Sequence, residues 1–121
     1  MGRLTTHILN TAQGLPAKGV AISVFRIDGH GEQCRRTRVA GAQSNDNGRC
    51  DLPLLEGAAF TVGVYELEFS LAEYFAAGLQ VLPDPPFVGD VVLRIGVADA
   101  AQHYHVPLLV SPWSYSTYRG S

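Results

Sequence analysis

The chain has 121 residues, 46% of them hydrophobic, and a formal net charge of −2. That length can bury one core without disulfide support, and two cysteines, Cys34 and Cys50, are too few for a disulfide scaffold. The near-neutral charge, with no basic run longer than Arg35-Arg36, argues against nucleic acid as a partner. No segment approaches the ~18 apolar residues of a membrane helix, and no apolar stretch follows Arg3 as a secretory leader requires. The expectation is one domain over residues 1–121, with reduced thiols, in the cytoplasm.

Leu4–Asn10 alternates with a period of two, with Leu4, Thr6 and Ile8 on one face and Thr5, His7 and Leu9 on the other, which predicts a strand. Gly14–Gly19 reads as a loop. Val20–Asp28 predicts a second strand with Val20, Ile22 and Val24 inward, and Gly29-His30-Gly31 turns the chain. Gln33–Ala40 is polar and arginine-rich, as suits a sheet edge. Ser44-Asn45-Asp46-Asn47-Gly48 is the densest turn signal, and Arg49-Cys50 leads into a short strand limited by Pro53.

Phe60–Phe69 predicts a strand with Tyr65, Leu67 and Phe69 on the core face and Glu66 and Glu68 in solvent. The period then changes. Ser70-Leu71-Ala72-Glu73 has capping-box spacing, Leu71, Tyr74 and Phe75 form an apolar stripe, and Gly78 is placed to end a helix of about two turns over about 70–78. Asp90–Val97 is another strand, with Val91, Leu93, Ile95 and Val97 inward. The end of the chain, His103 to Ser121, is two extended runs around Ser111-Pro112. This gives an all-β fold of about eight strands and one short helix, antiparallel by the shortness of its connections, in two packed sheets.

Chain ends usually carry little. This one carries two histidines, three tyrosines, a tryptophan and an arginine, which suggests that it lies within a site. His103 and His105 share a strand face with Pro107 and Leu109. Ser114, Ser116, Tyr118 and Gly120 share another, and His7 a third. Joined, these faces would line a half-polar concave surface. His103 and His105 at i, i+2 could together ligate a metal, but no cysteine or carboxylate lies near in sequence to complete the set, so no metal and no cofactor is expected. Neither cysteine has a Cys-x-x-Cys partner, and there is no Gly-x-Ser-x-Gly elbow.

The runs His103-Tyr104-His105-Val106-Pro107-Leu108-Leu109, Ser111-Pro112 and Tyr115 to Ser121, above all Tyr118-Arg119-Gly120-Ser121, are similar to the C-terminal signature of the 5-hydroxyisourate hydrolases, the transthyretin-related enzymes of purine breakdown. Leu4-Thr5-Thr6-His7 and Gly48-Arg49 resemble the family's other two motifs. Asn10 stands where an Asp is usual and Trp113 where another aromatic is commoner. The resemblance implies a transthyretin-like sandwich that assembles as a homotetramer, a dimer of dimers, with sites in the channel between subunits. It also implies a site of His7, Arg49, His105, Tyr118 and Ser121.

Opening a strained cyclic amide in a planar polar substrate needs an activated water, stabilisation of an oxyanion and a proton for the leaving nitrogen. A histidine near its ordinary pKa can move those protons, and a fixed guanidinium can hold the oxyanion. With the resemblance, His7 and His105 are expected to do acid–base work, Arg49 to bind substrate and oxyanion, and Tyr118 and Ser121 to position substrate, with Ser121 also counted among the catalytic set. The competing expectation is a transthyretin-like binder of small aromatic ligands without catalysis; such a site is mostly apolar.

Overall fold

A computed structural model describes residues 2–78 and 80–121. Nine strands and one α-helix follow the predicted order among them: β1 (Arg3–Asn10), β2 (Leu15–Pro16), β3 (Ala21–Asp28), β4 (Arg35–Gln43), β5 (Leu55–Glu56), β6 (Gly63–Phe69), α1 (Leu71–Ala76), β7 (Val91–Val97), β8 (His103–Val110) and β9 (Tyr115–Thr117). They form two sheets. One has the order β2-β1-β8-β9 with β5 also on β1; the other is β4-β3-β6-β7. The arginine-rich β4 is an edge strand, as its composition suggests.

The core between the sheets is built from the predicted inward residues. Leu4, Ile8, Ile22, Val24, Leu67, Phe69 and Leu108 are all at most 1% exposed. Alternation in β1 is strict, with Leu4, Thr6, Ile8 and Asn10 buried and Thr5, His7 and Leu9 half-buried on the outer face.

Three expectations are corrected in detail. Pairing is antiparallel throughout except between β1 and β8, which run parallel with Thr5 opposite His105 and His7 opposite Pro107. Connection length constrains only strands that follow one another, and these two are separated by the whole second sheet. The helix spans Leu71–Ala76, inside the predicted 70–78. Ser70 makes no side-chain cap, and Asp90, just before β7, accepts the Ala72 N–H at 3.2 Å instead. Gly78 is not left-handed. On β6, Glu66 is not in solvent: it is 8% exposed beneath Arg36 of β4 and Arg94 of β7, whose guanidinium nitrogens lie 2.9 and 2.8 Å from its oxygens.

The free edge of β1 sets up the site. β5 pairs with its start, Leu4 with Leu55, and β2 with its end, Leu9 with Pro16. The strand expected directly after Arg49 is therefore displaced beyond Pro53, and the 45–49 turn enters the gap between β2 and β5. There the Ile8 N–H donates to the Gly48 carbonyl at 2.8 Å and Arg49 bridges to His7.

Candidate active site

Arg49 meets His7 because of its turn. Asn45 Oδ1 accepts the N–H groups of Asn47 (2.9 Å) and Arg49 (3.2 Å), and the Asn45 N–H donates to the Arg49 carbonyl at 2.7 Å. Gly48 must be glycine twice over. Its φ is +74°, and a Cβ there would stand 2.3 Å from the Ile8 carbonyl oxygen.

The end of the chain is held as tightly. The Thr117 hydroxyl donates to the Pro107 carbonyl at 2.7 Å, and the Gly120 N–H donates to the His105 carbonyl at 2.8 Å. A Cβ on Gly120 would lie 2.7 Å from His105 Cδ2 and 3.2 Å from Pro107 Cγ, so glycine lets the tail cross the imidazole face. Arg119 turns away, its guanidinium 4.1 Å above the Tyr104 ring and bonded to Gln102 Oε1 at 2.8 Å.

The outer face of β1 and β8, the 49–53 segment and the tail enclose a cleft of about 610 Å³. His7, Arg49, His105, Tyr118 and Ser121, the five expected site residues, all line it. His30 lies elsewhere, exposed in its turn. The cleft also contains residues that had no role in the sequence reading: Arg3, Thr5, Cys50 and Asp51. Thr5 is the most consequential. Its hydroxyl is 2.7 Å from His103 Nε2 and 2.7 Å from His105 Nδ1. Only the parallel register of β1 against β8 brings the three together, and no motif spacing encodes that register.

The electrostatics favour neutral imidazoles. His105 is held below its ordinary pKa by partial burial, then by Arg49, His103 and His7. His7 is lowered by burial and Arg49, opposed by the Asn47 backbone. His103 is lowered by burial and Arg3. The Cys50 thiol is pushed up by burial and Asp51, which keeps it protonated and poorly nucleophilic. Among the described residues no ion pair engages Arg49, so its guanidinium faces the cleft uncommitted. The set offers two neutral bases, a cationic oxyanion partner and a phenol. Among the described residues no group of three or more His, Cys, Asp or Glu side chains is placed to hold a metal ion.

Fold and cleft together define a class: a two-sheet β-sandwich with a histidine–arginine site on the outer face of one sheet. The 5-hydroxyisourate hydrolase of Ralstonia nicotianae is 56% identical over 121 residues, covering 100% of each chain. Among solved structures, (S)-allantoin synthase superposes with a TM-score of 0.89 at 44% identity over 99% of this chain, which spans 44% of that longer protein. Klebsiella pneumoniae 5-hydroxyisourate hydrolase superposes with a TM-score of 0.78 at 29% identity, covering 100% of both chains. Residues 4–120 match the HIUase/Transthyretin family, and the chain belongs to that family.

Proposed function

We propose that this protein is a hydrolase that opens the cyclic amide of 5-hydroxyisourate to give 2-oxo-4-hydroxy-4-carboxy-5-ureidoimidazoline, a step of urate degradation. The observation that carries the reading is the convergence of His7, Arg49 and His105 on one cleft with no carboxylate committed to Arg49. A neutral histidine takes a proton from water, the hydroxide adds to the ring carbonyl, and Arg49 donates to the oxyanion. The leaving nitrogen then receives a proton from the same histidine pair. Tyr118 and Ser121 orient the ring from the tail. His105 is the better base because Thr5 fixes its ring. A binder of apolar aromatic ligands is disfavoured by so polar a lining.

The reading includes a homotetramer of this single domain, residues 1–121, with a small-molecule substrate, acting in the cytoplasm. Trp113, Tyr115 and Tyr118 are at least 50% exposed in the monomer, and β7 and β9 are sheet edges, which suits burial against further copies. The free thiols Cys34 and Cys50 suit a reducing compartment. Among the described residues no helix is long and apolar enough to cross a membrane.

The test is the ultraviolet decay of freshly generated 5-hydroxyisourate with and without protein. A protein-dependent acceleration is expected, and a decay no faster than the spontaneous one overturns the hydrolase reading. Light scattering that finds only the 13.0 kDa monomer at micromolar protein overturns the tetramer.

A further inference from the structure

The Thr5 hydroxyl bridges His103 Nε2 and His105 Nδ1, each at 2.7 Å. A hydroxyl has one proton. It can donate to one of these nitrogens while accepting from the other, so the two rings cannot choose their tautomers independently. If His105 donates from Nδ1, Thr5 donates to His103 Nε2, and His105 Nε2 is left bare as a base. If Thr5 donates to His105 instead, His105 Nε2 carries the proton and the ring is an acid on that side. The bridge thus links two states that differ in the role of His105.

We propose that Thr5 and His103 are positioning residues for His105, forming a proton wire from the cleft to the exposed rim of the sheet. The proposal rests on His105 being the base that activates water. The step balances as follows. Water loses a proton to His105 Nε2 and the resulting hydroxide adds to the substrate carbonyl. The Nδ1 proton of His105 passes to Thr5 Oγ1, and the hydroxyl's own proton passes to His103 Nε2. His105 is then neutral with Nε2–H, and the positive charge resides on His103. When the ring carbon–nitrogen bond breaks, His105 Nε2–H protonates the nitrogen and the wire runs backward, which restores the first tautomer. The product carboxylic acid then ionises to His105 Nε2, the Nδ1 proton passes again through Thr5 to His103, and His103, exposed at the rim, releases the one net proton of hydrolysis to water.

The surrounding charges oppose keeping the proton on His105. His105 faces Arg49 from the turn and His7 from β1, both of which oppose a positive charge on it. Beyond His105 on its own strand, His103 meets the charge of Arg3 at the start of β1, and its backbone carbonyl accepts from Arg119 at 3.5 Å. A charge on His103 is therefore farther from the Arg49–His7 pair and closer to water.

The experiment compares Thr5→Val, Thr5→Ser and His103→Ala with wild type in 5-hydroxyisourate turnover and in ¹⁵N-imidazole NMR of the unliganded protein. Valine keeps the shape and strand preference of threonine without the hydroxyl. Expected are a loss of about 10²-fold in kcat for Thr5→Val with KM unchanged, and recovery in Thr5→Ser. His103→Ala should lose kcat as Thr5→Val does and regain it with added imidazole. NMR should find His105 protonated at Nδ1 in wild type and mixed in Thr5→Val. Wild-type kcat in Thr5→Val, or equal loss in Thr5→Ser and Thr5→Val, overturns the wire. Absence of turnover in wild type fails the hydrolase reading instead, and the NMR tautomers still decide whether Thr5 sets the His105 ring.

Discussion

The outer faces of the two sheets use arginine in opposite ways. On the β4-β3-β6-β7 sheet, Glu66 lies between Arg36 and Arg94, and Glu68 takes a second nitrogen of Arg36 at 2.8 Å. Burial alone would raise the Glu66 carboxyl, yet the two guanidinium groups hold it below its ordinary value. Each of these four charges has a protein partner, so the cluster is finished. On the β1-β8 sheet, Arg49 is among neutral imidazoles, and no ion pair engages it among the described residues. A cation left without an anion beside two bases lowered in part by that same cation is a site that waits for negative charge to develop in something else. The lesson is that a site arginine is distinguished from a structural one by what its partners leave unsatisfied, since both faces contain arginine.

That contrast can be broken most severely at the histidines. His7→Ala and His105→Ala should each cost about 10²–10⁴-fold in turnover with the circular dichroism spectrum unchanged, and the double variant should be scarcely worse than the worse single. Fully multiplicative losses would mean the two act independently. Because both pKa values are lowered, the neutral base persists as the pH falls through the usual imidazole value near 6.5. Turnover should therefore be level over about pH 7 to 8 and decline only in more acid solution, and Arg49→Gln, which removes the cation, should move that decline upward in pH.

Next in size is the guanidinium itself. Arg49→Lys should lose about 10²–10³-fold because a lysine keeps the charge and loses the planar fork. Arg94→Lys, in the finished cluster, should leave kcat unaltered, and equal behaviour of the two variants in steady-state kinetics would erase the contrast. Gly120→Ala should lower kcat by about 10²-fold, since its Cβ would push the tail off the His105 ring, with melting temperature nearly unchanged.

A smaller effect belongs to the other sheet. Glu66→Gln should lower stability by about 1 kcal/mol in urea melts, because Arg94 and Arg36 remain partly solvated, and turnover should stay at the wild-type rate. The smallest is expected from chelation. Thr5 occupies one nitrogen of each histidine of the His103/His105 pair, so exhaustive dialysis against a chelator should leave turnover intact; loss that zinc restores would contradict this.

Much of this was legible in the sequence for a physical reason. Period-two patterning in β1 specifies which face is buried, and Asn45 and Gly48 write their turn into local chemistry, while His7 and Arg49 were singled out by the family motifs they belong to. Properties that depend on strands distant in the chain were not legible. The parallel register that makes Thr5 a bridge, the arginines that cover Glu66, and the aspartate that caps α1 in place of Ser70 all come from elements that no local spacing relates. Asn10 shows the same limit. It is buried, with Oδ1 accepting the Ala12 N–H and Nδ2 donating to Tyr74, a loop anchor on the core side of β1 away from the chemistry.

The parallel pairing of β1 with β8 also has a temporal meaning. During synthesis β1 emerges before the other sheet and must wait, with one edge unpaired, until β3, β4, β6 and β7 have followed; the tail that crosses His105 comes after β8. Contacts of such long separation form late and slowly. A product that stops before β8 contains every strand of the β4-β3-β6-β7 sheet but lacks His103, His105 and the tail that line the cleft. Activity is thus a report that synthesis has passed Gly120 and Ser121.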